Sequence, residues 1–197
     1  MRVLSMDVRR RLYAAAVSAV CLSIMLGCIL AKDSYAATAK EIDVSVDVAL
    51  KRFQNEIKGG KEFLKSAKGV LVFPSVYKAG FVVGGEYGEG ALRIGGKNVD
   101  YYNTVAGSWG LQIGAQKKSV IIVFMTEQAL KDFRNSSGWK AGVDGSVALV
   151  TVGVGESIDS TNIKDPIVGF VFGQKGLMAN LTLEGSKFTK MDKSKLK

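Results

Sequence analysis

Histidine is absent from the 197 residues, and the two cysteines, Cys21 and Cys28, both lie close to the N-terminus. Without an imidazole there is no base for Ser-His or Cys-His catalysis and no histidine ligand for zinc. If the N-terminal segment is removed, no cysteine remains, and a disulfide framework is excluded even in an oxidising compartment. Proline is scarce: Pro74 and Pro166 are the only two. Acid is in short supply, 18 residues against 27 basic ones, for a formal net charge of +9. Such an excess favours anionic partners: lipid head groups, lipopolysaccharide, nucleic acid or acidic glycans.

What the N-terminus does have is an export pattern. Arg2, Arg9, Arg10 and Arg11 precede an uncharged apolar run from Leu12 to Ala31. A basic segment followed by an apolar one is the secretory arrangement. Two fates follow. Ser34-Tyr35-Ala36 offers a small-x-small cleavage site, leaving residues 37–197. Met25-Leu26-Gly27-Cys28 resembles a lipobox, in which residues 1–27 are removed and Cys28 carries a lipid. Cleavage after Ala36 leaves 22 basic against 16 acidic residues, a net charge of about +6. Export argues against nucleic acid as a partner. The remaining chain suits one domain with a sizeable core.

The mature chain opens with a helical pattern. Val46, Leu50, Phe53 and Ile57 follow helical spacing, with Asp43 as the expected N-cap. Gly59-Gly60 should split the run over Glu41 to Ala67 into two helices. Lys58, Lys61, Lys65 and Lys68 cluster around Phe63 and Leu64. An amphipathic helix of that kind can lie on an anionic membrane. It can equally pack its apolar face on a sheet and leave its lysines in water.

Strand patterns dominate the rest. Val70 to Phe73 is a short apolar run that Pro74 should stop. Gly80 to Val83 starts another, which breaks into Gly84, Gly85, Gly88 and Gly90. Lys97-Asn98 is expected to turn before Val99 to Tyr102. Trp109, Leu111 and Ile113 would share one face of a further strand. Ser119 to Met125 reads as a strand buried on both sides. Thr126 should cap a helix with Ala129, Leu130 and Phe133 inward. Val143 to Val154 alternates like a strand, and Ser157 to Pro166 is a polar loop. Gly173-Gln174-Lys175-Gly176 is a hairpin signal between Ile167 to Phe172 and Leu177 to Leu183. The lysine-rich tail, Lys187 to Lys197, should fray.

Motifs for chemistry are weak. Ala91 to Asn98 approaches a phosphate loop, but Asn98 stands where serine or threonine is needed and no helix follows. Glu86 and Glu89 could serve as acid and base, or simply be solvated. No metal cluster and no cofactor motif is present, so an enzyme is not expected.

Several blocks resemble the SYLF family, also called Ysc84 or the Las17-binding-protein family. They are Ala67-Lys68-Gly69-Val70, Phe73-Pro74, Lys78-Ala79-Gly80-Phe81, and Gly84-Gly85-x-Tyr87-Gly88-x-Gly90. Gly110 to Gln116, Val123-Phe124-Met125 and Ala129-Leu130 follow in the same order. The resemblance implies a lipid-binding domain with membrane contact through an early amphipathic helix, here the one ending at Lys68. The expected fold is α+β, with N-terminal helices on a strongly curved, mostly antiparallel sheet or small barrel. The expected function is peripheral binding of anionic phospholipid membranes in the cell envelope, in the periplasm or at the outer membrane. Lys58, Lys61, Phe63, Leu64, Lys65 and Lys68 would form the contact, and Cys28 is a candidate lipid attachment point. The alternative is a module that docks another envelope protein through its sheet.

Overall fold

The computed structural model describes residues 37–80, 83–109, 114–151, 157–158, 163–176 and 183–196. The export segment, Cys28, Phe81-Val82, Leu111, Ile113, Val152 to Val154 and most of Leu177 to Leu183 lie outside the described residues. Residues 37–197 form one compact unit.

The first helix, α1, spans Ala39–Glu56 and buries Ile42, Val46, Ala49, Leu50 and Phe53. Its cap is Thr38, not Asp43. The Thr38 hydroxyl accepts from the Glu41 backbone N–H while the Glu41 carboxylate accepts from the Thr38 N–H, so two orphan donors are satisfied at once. Asp43 instead accepts from Asn98 Nδ2 at 2.7 Å and Tyr101 Oη at 2.9 Å, tying the helix to the sheet. Gly59, at φ 78°, breaks the helix as expected, and the short α2, Gly60–Lys65, follows.

Among the described residues, eight strands form one sheet. They are β1 (Gly69–Gly80), β2 (Val83–Ile94), β3 (Lys97–Trp109), β4 (Gly114–Phe124), β5 (Trp139–Lys140), β6 (Ala148–Thr151), β7 (Ile167–Gly176) and β8 (Lys187–Lys190). Helix α3, Glu127–Asn135, lies between β4 and β5 and is capped by Thr126, as its sequence predicts. The spatial order is β5-β8-β3-β2-β1-β4-β7-β6. Every pairing is antiparallel except β6 with β7. The fold is thus α+β, with a mixed sheet curled into a half-barrel.

Covalent geometry requires the curl. Strands β5 and β6 lie at opposite edges of the sheet, yet only eight residue steps separate Lys140 from Ala148. Eight steps reach about 29 Å at most, and seven flat strand spacings need roughly 34 Å. The connection is also compacted by a turn in which Gly142 N–H donates to Gly145 C=O. A side chain at Gly145 would sit 2.8 Å from the Trp139 ring and 3.5 Å from Ile167, so the two edges meet here. The interior of the curl holds Leu71, Phe73, Tyr102, Ile122, Phe124, Phe133, Trp139 and Phe188. The outer face carries Val72, Ile121, Val123, Phe170 and Phe172 beneath α1 and α2.

Several expectations are corrected. Pro74 does not stop β1. The register with both neighbours shifts there, and a bulge is the one place where a central strand tolerates proline. The turn after β2 is Gly95-Gly96, both at positive φ, rather than Lys97-Asn98. Among the described residues β6 begins only at Ala148 and runs to Thr151, and Val143 is exposed in the preceding turn. Gly173 to Gly176 is not a hairpin but the end of β7, which stays paired to β4 as far as Gly176. The basic tail does not fray: β8 pairs with both β3 and β5, a 3-10 turn follows at Lys193–Lys195, and Leu196 is buried.

Candidate functional site

Helix α2 rests on the sheet through Phe63. That ring is fully buried and meets Phe170 edge-on at 5.2 Å. It anchors the helix and presents nothing to a surface. Leu64 is half-buried and faces a cleft of about 400 Å³. The floor of that cleft is Leu50, Leu64 and Val70, and its rim is Lys61, Lys65, Lys68 and Arg93. The Gly95-Gly96 turn closes one end.

The lining has four cations and no carboxylate. Arg93 is held from outside by Asp47, and its Nε donates to Asn98 Oδ1 at 3.0 Å. Lys68 has a loose contact with Glu127 at 3.8 Å between exposed groups, worth little in water. Lys61 and Lys65 make no ion pair among the described residues. So Lys61, Leu64, Lys65 and Lys68 come together, while Lys58 and Phe63 do not join them. Lys58 is exposed, and its carbonyl accepts from the Ile158 N–H at 2.8 Å, which fixes the loop end instead.

Arg93 was missed in the sequence. A Gly-Gly pair between two alternating runs is a hairpin signal, and it would have folded Arg93 back beside the helix. The near-miss phosphate loop is that hairpin.

The two carboxylates weighed for acid–base work are far apart in role. Glu86 lies inside the curl, 3.3 Å from Lys78 Nζ and 2.8 Å from Lys118 Nζ. The Lys118 contact is charge to charge, at an angle that makes no hydrogen bond. Glu89, three residues on, serves the outer face, accepting from Tyr87 Oη at 2.6 Å and from the Ala37 N–H at 3.0 Å. Strand alternation points them to opposite sides.

Among the described strand residues, Tyr77, Tyr87 and Val105 are the exposed large apolar side chains, side by side on the outer face beyond the bulge. Residues 105–195 match the Ysc84 family, described as Las17-binding protein actin regulator. The Ysc84 stretch takes in β4 to β8 and α3, and therefore the closing strands of the curl. The cleft lysines precede it. No curated protein matches the chain.

Proposed function

We propose that the protein binds anionic phospholipid membranes peripherally, through the cleft between α1, α2 and the β2–β3 turn. The observation that carries this reading is a rim of four cations around an apolar floor, with no carboxylate in the lining. Each lysine near a charged bilayer is worth on the order of 1 kcal/mol. Leu64 and Leu50 provide apolar surface next to that charge. Phe63 supports the helix from below. The export pattern supports a site of action in the cell envelope, where a lipid on Cys28 would add a second attachment. Docking of another envelope protein has its support in the exposed Tyr77, Tyr87 and Val105.

The test is co-sedimentation of the full chain with anionic and neutral vesicles, beside a Lys61→Glu/Lys65→Glu variant. Comparison with the unchanged chain cancels any contribution of residues 1–36. Binding to anionic vesicles should weaken with salt, because exposed charges are screened within about 10 Å at 0.1 M ionic strength. It should fall at least about tenfold in the variant, two charge reversals being worth well over 1.4 kcal/mol. Unchanged binding in a folded variant would remove the cleft from the account.

A further inference from the structure

A second cationic cleft lies on the outer face, on the far side of α1. It has a volume of about 300 Å³ and sits between α1, the Pro74 bulge of β1, β4 and β7. Its charged lining is Arg52, Lys117 and Lys175, with no carboxylate among the lining residues. Ser45 and Ser75 add hydroxyls, and Val48 is 60% exposed at the mouth.

Two features of this cleft call for an anion. Lys117 and Lys175 are directly opposite each other on β4 and β7. Like charges at that position repel and destabilise a sheet. Neither makes an ion pair among the described residues; the Lys117 ammonium rests 5.3 Å over the Tyr77 ring. Arg52 is fixed from its outer side by Glu56 at 2.8 Å and lies over the Phe172 ring at 5.7 Å. Its guanidinium presses against Gly173, at φ 63°, where any side chain would collide with it. The backbone thus makes room for an oriented fork of N–H donors beside two opposed ammonium groups.

We infer that this cleft binds the tetrahedral oxyanion of a phosphate or sulfate monoester, with Val48 and Tyr77 taking the apolar part next to the ester oxygen. A planar fork plus two point charges matches such a group. The bridging oxyanion removes the repulsion between Lys117 and Lys175. The inference is independent of the α2 cleft, which shares no residue with it.

The probe is phenyl phosphate, titrated into the full chain at constant ionic strength and followed by calorimetry and thermal unfolding. Saturable binding with a rise in Tm is expected. A Lys117→Gln/Lys175→Gln variant should lose about tenfold or more in affinity, as charged hydrogen-bond partners are removed. Lys61→Gln/Lys65→Gln should bind phenyl phosphate as the parent does. Where the double variant fails to fold, Lys175→Gln alone makes the same comparison. Phosphatidic acid vesicles then distinguish the source. In a Lys61→Glu/Lys65→Glu background, which disables the α2 cleft, loss of vesicle binding on adding Lys117→Gln/Lys175→Gln identifies a lipid head group, and vesicle binding that does not respond to Lys117→Gln/Lys175→Gln identifies a soluble ester. Absence of saturable binding to the parent, or equal affinity in the Lys117/Lys175 variant, overturns the inference.

Discussion

Glu86 stands between two ammonium groups that the curl keeps from water. Lys78 is 4% exposed, Lys118 1% and Glu86 9%. Removing one partner of a buried ion cluster leaves charge without compensation, which costs about 3–5 kcal/mol. Glu86→Gln should lower the urea midpoint accordingly. A variant as stable as its parent would mean the lysines are balanced by another group. Tyrosines give a second prediction at this scale. Burial pushes Tyr87, Tyr101 and Tyr102 from 10.0 up to about 12. Hydrogen bonds to Glu89 and Asp43 act in the same direction on the first two, and the Asp100 charge on the third. A raised folded-state value means stability is fully present below about pH 10 and lost as pH climbs towards about 12. Denaturant midpoints should therefore hold to pH 10 and fall steeply above it, in step with tyrosinate absorbance.

Helices were legible where one residue had one available role. Val46, Leu50 and Phe53 belong to the buried stripe of α1, with Ile57 buried at its C-cap, and Leu130 and Phe133 form that of α3. Asp43 was misread because an aspartate at a helix start can serve a cap or a neighbouring strand, and sequence spacing does not separate the two. Glycine inside a strand pattern signals a bulge, a bend or close approach of another backbone, and at Gly88 and Gly90 of β2 it is close approach. A side chain at Gly88 would lie 2.8 Å from the Ser75 carbonyl oxygen, and one at Gly90 would strike the Val72 carbonyl. Both carbonyls flank the Pro74 bulge, so β1 and β2 are matched as a pair. Gly90→Ala should destabilise by about 1–3 kcal/mol through overpacking, read as a shift in chemical denaturation with the m-value retained. Gly107, with open space around it, should accept alanine with far less cost.

On the scale of the molecule, a strongly curved sheet was expected, but the device that enforces the curvature could not be read. It lies in the placement of β5 and β6 at opposite edges, a long-range fact that the local alternation of Val143 to Val154 concealed. The basic tail was misjudged for the same reason. Lys187 to Lys190 looks solvated in sequence, yet Phe188 is 1% exposed and stacks between Phe73 and Trp139 at 5.5 and 5.9 Å. The candidate site was half legible: the lysines of α2 were in view, while Arg93 came from a hairpin that had been weighed as a phosphate loop. Phe188→Ala should cost about 3–5 kcal/mol, measured by guanidinium unfolding. A loss below 1 kcal/mol would mean that the strand is peripheral to the closed curl.

The position of β8 also has a bearing on the order of assembly. Strands β1 to β3 can zip together through neighbouring hairpins and β4 then returns to the free edge of β1, but β5 has no sheet partner until β8, made nearly fifty residues later, slides in between it and β3. Long loop closures of this kind come late, because their entropy is lost before the contacts form. The edge at β8 is then a latch fastened after the rate-limiting barrier. Loosening it would leave the speed of refolding nearly unchanged and shorten the lifetime of the native state.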